Sequence, residues 1–310
     1  MDQRNKLKAY LAAITFSILV GFTFIGVKIC VPLANSLEIL THRYNFAFLA
    51  LVIILLTPWA KINILGKPKK NLMITATAYV AFMVLQVIGL FYATSIESAI
   101  IFAIIPIIVK VIASIFLGEK STMLQNIFVC VTVAALIAMI ALGSKDISFN
   151  PLGTGILLLS SLSMAISNVY MRYTRNEYTP VEISTAIIVL GFVGLNIVTI
   201  GYGLATGTLD QYFAPFKHVE FIIATAYLGI GCILFTVLIM SYILSKMEAV
   251  KATIFGNVST AISIVAGVLV LGESLSWYHI MCTALIIAGV IVISFTGNSK
   301  PEEGESQNEI

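Results

Sequence analysis

Residues 112–121 read IASIFLGEKS and residues 265–274 read VAGVLVLGES, so two apolar stretches close on one tripeptide, Leu117-Gly118-Glu119 and Leu271-Gly272-Glu273. A glycine just past an apolar helix is a stop signal, because it takes the left-handed cap without steric cost. A glutamate beside it suits the start of the following helix, where the positive end of the dipole favours an anion. Each tripeptide therefore reads as a tight helix–helix turn. Local chemistry accounts for one such turn, but not for its return 154 residues later.

The surroundings of the two turns supply the reason. Hydrophobic residues make up 59% of the 310-residue chain and charged residues 11%, against roughly 25% charged in soluble domains. So little charge cannot cover a water-facing surface, and the chain reads as an all-α polytopic membrane protein whose first partner is the lipid bilayer. About 20 apolar residues cross the hydrocarbon as a helix. Runs of that kind lie near 9–31, 36–57, 72–92, 98–117, 124–142, 152–171, 181–203, 219–244, 252–271 and 278–296, ten in all. The first is too long for a signal-peptide core and lacks a small-x-small cleavage site, so it is read as a mature helix.

Charge placement supports the count independently. With the N-terminus inside, the cytoplasmic segments hold Arg4, Lys6, Lys8, Lys61, Lys67, Lys69, Lys70, Lys120, Arg172, Arg175, Lys246 and Lys300, while the outer loops hold only Lys145 and Lys217. This positive-inside asymmetry predicts that both termini are cytoplasmic. Ten spans divide into two sets of five, and an odd number per set makes the second enter the membrane from the opposite side. Gly118 and Glu119 then follow the fourth span on the cytoplasmic face, while Gly272 and Glu273 follow the ninth on the outer face. The tripeptide recurs because the chain is an inverted repeat, expected as residues 1–142 and 152–296, with a linker at 143–151 and a disordered tail at 297–310. At an offset of 144, Lys28 falls on Arg172 and Glu38 on Glu182; the later spans need an offset of 154, the difference lying in the longer loop around GTLDQYFAPF. Inverted repeats place a substrate site near the bilayer midplane, where the two units rock around it.

Ten spans in two sets of five, Lys28 late in the first, Arg43 early in the second, and Pro106 to Leu117-Gly118-Glu119 across the fourth resemble the drug/metabolite transporter superfamily, EamA type. The likeness covers residues 1 to about 296. Val20-Gly21-Phe22 stands where the family often has Trp-Gly, and Thr260 where the second unit often has Pro. The resemblance implies a plasma-membrane (bacterial inner-membrane) transporter of amino acids, small metabolites or drugs, often outward.

Ionisable groups inside a membrane span cost at least about 2.5–3.5 kcal/mol at its centre and need a partner, a cavity or an escape to the interface. Lys110 lies too deep in the fourth span to snorkel comfortably and is the leading contact for a substrate carboxylate, with a structural pair as the alternative. Pro106, one turn before it, removes a backbone hydrogen bond and loosens the helix. Arg43 is a second substrate contact, a gate, or a structural partner of Glu38 one turn away. His42 and Lys28 are candidates for gating or coupling, with a shared polar interface and snorkelling as the alternatives; Glu97 carries a proton or caps its helix. The mid-span amides Gln86, Asn168 and Asn257 line a cavity or bridge helices. Ala252, Gly256, Thr260, Ser263 and Gly267 form one small-residue face suited to close packing. Tyr79, Tyr92, Tyr170 and Tyr227 are further candidates for a cavity wall.

Other function classes find little support. The three histidines form no HExxH pair, no GxSxG or Walker loop is present, and no aspartate sits mid-span. Cys30, Cys130, Cys232 and Cys282 fall in apolar runs without metal-ligand or disulfide spacing. The expectation is a non-enzymatic secondary transporter of a small-molecule substrate, with no cofactor, metal or nucleic acid. A membrane receptor, a structural protein or a facilitative channel is the alternative. Monomer and homodimer both stay open.

Overall fold

The computed structural model describes residues 3–57, 62–64, 66–116, 150–246 and 256–295, with isolated positions between 123 and 138. All regular structure among them is helical. In chain order the helices are α1 (Gln3–Gly21), α2 (Thr23–Cys30), α3 (Ser36–Leu55), α4 (Lys69–Tyr92), α5 (Ser95–Phe102), α6 (Ile105–Phe116), α7 (Pro151–Tyr173), α8 (Pro180–Thr206), α9 (Val219–Ala226), α10 (Thr236–Lys246), α11 (Gly256–Leu271) and α12 (Trp277–Phe295). A π-helical stretch, Tyr227–Phe235, joins α9 to α10 into one rod. Seven segments in this set are long and apolar enough to cross a membrane: Leu11–Cys30, Ser36–Leu55, Lys69–Tyr92, Ser95–Ile115, Pro151–Asn176, Pro180–Thr206 and Val219–Lys246. Most of the fifth expected span, the Gly118 and Glu119 turn, the 143–149 linker and the 297–310 tail lie outside the described residues.

Two expected spans are each broken in the middle. The first parts at Phe22, between α1 and α2. The fourth parts at Ala103–Ile104, just ahead of Pro106, where the missing proline N–H cannot close the ladder and Ile104 N–H turns to the Ile101 carbonyl instead. The third break in regularity is the π-helical stretch, which contains Gly229 and Gly231. Such insertions into an α-helix concentrate at functional positions.

The helix starts obey the repeat. Asn35 and Glu38 form a reciprocal capping box at the start of α3, and Thr179 and Glu182 form the same box at the start of α8. These pairs are related by the 144-residue offset. A third box, Thr94 with Glu97, opens α5. The side-chain oxygen at each cap satisfies a donor that has no partner within the helix, which matters most where water is scarce.

Packing between the units is paired in the way a two-fold relation demands. α4 lies along α7, and in return the first span (α1, α2) lies along the α9–α10 rod. α3 touches that rod, and α4 touches α8. α1 and α2 pack on α11, while α5 and α6 pack on α7. Two contacts are their own images, α3 on α8 and α5 on α11. Each of these contacts thus has its counterpart, the pattern that two inverted repeats give.

Glycines and hydroxyls set the separations. A Cβ at Gly89 would fall on Leu157 and one at Gly229 on the Arg43 carbonyl oxygen and Phe46, so α4–α7 and α3 with the α9–α10 rod approach to backbone distance. Ser160 and Ser167 of α7 donate to the carbonyls of Phe82 and Thr75 on α4, and Ser263 of α11 donates to the Gly21 carbonyl. Interhelical hydroxyl bonds of this kind replace the water that lipid withholds. The small-residue face of α11 is therefore a packing face at Ser263, and at Gly267, which sits against Ser95 and Ile96.

Candidate functional site: a cavity on the axis between the repeats

Where the breaks in the first and fourth spans come together, the helices leave a cavity of about 80 Å³. About 10–15 Å³ of such volume holds one water, so the space accepts several waters or a small organic group. Its wall draws on six spans, three from each unit: Phe16, Val20, Thr23 and Phe24 from the first, Tyr79, Phe82, Met83 and Gln86 from α4, Phe102 and Ile105 from the broken fourth, Met164 and Asn168 from α7, Cys232, Thr236 and Met240 from the α9–α10 rod, and Ser259 and Thr260 from α11.

The wall follows the repeat. Val20 pairs with Met164 and Phe24 with Asn168 at the 144-residue offset; Phe82 pairs with Thr236, Gln86 with Met240 and Ile105 with Ser259 at 154. The cavity thus sits on the pseudo-two-fold axis, yet its two halves differ chemically. The first unit contributes mostly aromatic and aliphatic surface, and the second contributes an amide, hydroxyls and a thiol.

Gln86 and Asn168, expected to be mid-span polar groups, both line this cavity. Each is nearly fully buried, and the Gln86 Oε1 and Asn168 Oδ1 atoms have no hydrogen-bond partner. A buried polar atom left unpaired costs about 1–3 kcal/mol, so these two acceptors invite a donor from whatever enters. Asn257 lies in the first turn of α11, and its side chain is outside the described set. Tyr79 lines the cavity; Tyr92 is exposed, Tyr170 lies tilted against Tyr173, and Tyr227 donates to the Leu19 carbonyl.

The charged candidates stand behind the wall or at its ends. Lys110 is buried on α6, 6% exposed, beyond the residues that line the cavity. Arg43 is completely buried about two turns into α3, and none of its three guanidinium nitrogens has a hydrogen-bond partner. The expected tie between Arg43 and Glu38 is absent, because the Glu38 carboxylate accepts from the Asn35 N–H in its capping box. Glu97 likewise caps α5 through the Thr94 N–H. The His42 Nε2–H donates to the Tyr212 carbonyl, 2.8 Å away, inside a ring of Tyr212, Phe213, Phe216 and Phe221.

The loop over residues 207–218 folds back as two short 3-10 turns and inserts Tyr212 between α3 and α8. There Asn45 donates to the Tyr212 hydroxyl, that hydroxyl donates to Asn196, and Asn196 donates back to Asn45, at 2.7, 2.6 and 2.7 Å. Sequence reasoning passed over this closed triad. Its one visible signal is Asn45 and Asn196, two amides in apolar helices.

At the 272–276 turn the structure corrects one expectation. Gly272 takes the left-handed conformation, φ 66°, as the stop signal requires. Glu273, however, does not serve the helix that follows it. Its carboxylate accepts from the Ser95 N–H, the Ser95 hydroxyl and the Ile96 N–H, at 2.9, 2.7 and 3.1 Å, and so caps α5 of the other unit. Lys28 lies within electrostatic range of Glu273 and Glu97. On the opposite face Glu182 plays a related part: Lys67 reaches it at 2.9 Å and the Asn63 N–H donates to it, which ties the α3–α4 connection to the start of α8.

Comparison with known proteins agrees with this architecture. The model of the EamA-like transporter family matches twice, over residues 7–141 and 151–295. An uncharacterized transporter of Bacillus subtilis (strain 168), YcxC, is 35% identical over 293 residues, 94% of each chain. An uncharacterized transporter of Archaeoglobus fulgidus is 23% identical over 274 residues, 88% of this chain and 94% of that one. A solved crystal structure superposes with a TM-score of 0.69 over 94% of this chain and 98% of its own, at 13% identity, a likeness of fold alone.

Proposed function

This chain belongs to the EamA-like transporter family, and we propose that within it the protein is a secondary transporter that exports small organic metabolites, amino acids foremost, by alternating access. The single observation that carries this reading is the cavity on the axis, walled by spans of both units and flanked by the breaks at Phe22 and Ala103–Ile104. A pocket shared between two related halves is the place where rocking exchanges access from one face to the other. Both termini are cytoplasmic in this proposal, following the basic-residue asymmetry.

The described contacts suit a state closed on the outer face. α11 packs on α5, with Gly267 against Ser95 and Ile96 and with Thr260 donating to the Ala99 carbonyl, while α6 packs on α7. Breaking the fourth span at Ala103–Ile104 lets its two halves take different partners. In the substrate-bound state the apolar wall takes the body of the solute and Gln86 and Asn168 take its hydrogen-bond donors. Lys110 meets its carboxylate as the helices rearrange.

Counterflow in proteoliposomes tests this proposal. A panel of amino acids and other small carboxylates is presented with and without a pH gradient to wild type, Lys110→Ala and Lys110→Gln. Accumulation of at least one solute, reduced at least tenfold in both variants, is the expected result. No exchange of any solute by the wild type sinks the transport reading, and equal exchange by all three proteins removes Lys110 from the site.

A further inference from the structure

Among the described residues, Arg43 is the fully buried cation whose donors all go unused. Its Nε, Nη1 and Nη2 lack partners, the residue is 0% exposed, and the neighbouring Tyr44 hydroxyl is also buried and unpaired. The guanidinium does not escape by deprotonating, since arginine keeps its proton in proteins. A buried charge without a partner is strongly destabilising even after relaxation. Something else must supply the counter-charge.

Among the described residues no carboxylate is shown acting on Arg43. Glu38 and Glu97 are held by the caps of α3 and α5, Glu182 by Thr179, Asn63 and Lys67, and Glu273 by Ser95 and Ile96. The titratable side chains that surround Arg43 are Cys30, Tyr44, Tyr79 and Cys232, all uncharged at neutral pH. Two of these four, Tyr79 and Cys232, are also wall residues of the central cavity. Arg43 therefore lies behind the cavity wall, next to two of its residues.

We propose that Arg43 and the Tyr44 hydroxyl form an anion-binding site opening off the central cavity past Tyr79 and Cys232. The ligand chemistry is a small monoanion that the planar guanidinium fork can grip. Its source is the carboxylate of the transported solute or a free inorganic anion such as chloride. In the state described here a carboxylate matches the fork bidentately, with two parallel N–H···O bonds, and it passes to Lys110 only as the helices rearrange. The solute's apolar part then lies along Phe24, Phe82 and Phe102, and its donors reach the unpaired oxygens of Gln86 and Asn168. This assignment of the carboxylate rests on the transport reading above; the anion site itself does not.

Thermal unfolding of the purified, detergent-solubilised protein tests the site without transport. Wild type, Arg43→Lys and Arg43→Gln are titrated separately with chloride and with propionate at constant ionic strength. In the wild type at least one of the two anions raises the melting temperature saturably, by about 3 °C or more. Arg43→Lys keeps the charge but loses the fork, and its titration moves to about tenfold higher propionate, or weakens similarly for chloride. Arg43→Gln, relieved of an uncompensated charge, melts at or above the wild type in the absence of either anion and responds to neither. A response to propionate alone identifies the solute's carboxylate; a response to chloride alone identifies an inorganic counter-ion. No saturable response in the wild type, or an unshifted titration in Arg43→Lys, overturns the proposal whether or not Arg43→Gln folds. Solute counterflow without any anion titration sinks the site and leaves the transport reading standing. Anion titration dependent on Arg43 in a protein that exchanges nothing does the reverse.

Discussion

Removing the Glu273 carboxylate should unlatch the face of the bundle on which α5 and α11 meet. Three donors converge on that carboxylate, the Ser95 N–H, the Ser95 hydroxyl and the Ile96 N–H, at 2.9, 2.7 and 3.1 Å. Hydrogen bonds to a charged group contribute about 1.5–3 kcal/mol each in mutational series. The three share one half-buried ion and do not add, so the latch contributes about 3 kcal/mol in total, which corresponds to a shift of about 150-fold in a two-state equilibrium. Ser98→Cys reports the change: Ser98 is fully buried on α5 and a thiol is nearly isosteric with its hydroxyl. In a background without Cys30, Cys130, Cys232 and Cys282, a membrane-impermeant maleimide should modify this position up to about 100-fold faster in Glu273→Ala than with Glu273 in place. Glu273→Gln, which keeps one acceptor oxygen but no charge, should fall between. Equal labelling rates in all three proteins would refute the latch, and would mean that the α5–α11 contact is held by packing at Gly267 alone.

Other perturbations follow from the same geometry. Gly229→Ala places a methyl on the Arg43 carbonyl oxygen, 2.8 Å from the Phe46 Cβ and 2.9 Å from the Ala47 N; these are backbone obstacles, so the cost should reach about 1–3 kcal/mol and show as a lower melting temperature in detergent. Gly194→Ala, on an open helix face with nothing near its Cβ position, is the matched control and should be neutral or slightly stabilising. Glu182→Ala removes the capping-box partner and the Lys67 pair together, with Glu182 2% and Lys67 28% exposed; a loss of about 2–4 kcal/mol is expected, whereas Lys67→Ala should cost less, because the caps on Glu182 remain. Single cysteines at Ser121 and Ser276 in sealed vesicles should label from opposite aqueous phases, and labelling of both from one phase would contradict the inverted arrangement.

Much of the fold was legible because it rests on bulk quantities. Apolar length sets the spans, and it is a sum over many residues that no single contact can overturn. The capping boxes of Asn35 with Glu38 and of Thr179 with Glu182 went unread in the sequence, although their three-residue spacing is local helix geometry. Parts of the site were visible too. Gln86 and Asn168 stand out as amides in lipid-length helices, and the structure brings both to one cavity. Thr23, Thr236 and Ser259 did not stand out, because small hydroxyl residues serve packing equally well.

Partnership across the units belonged to the tertiary structure. By itself the chain determined that Leu271-Gly272-Glu273 ends a helix, and Gly272 does so with φ 66°. It did not reveal that Glu273 would turn from the helix beside it to the start of α5, 178 residues away in sequence. Nor did it reveal that Glu38 would serve a cap and leave Arg43 unmatched. The reason is physical. A helix stop and a capping box are governed by dihedral angles and spacings of three or four residues, which the chain carries locally. An ionised side chain in a low-dielectric interior goes to the donors that packing brings within about 3 Å, and only the assembled bundle settles which donors those are.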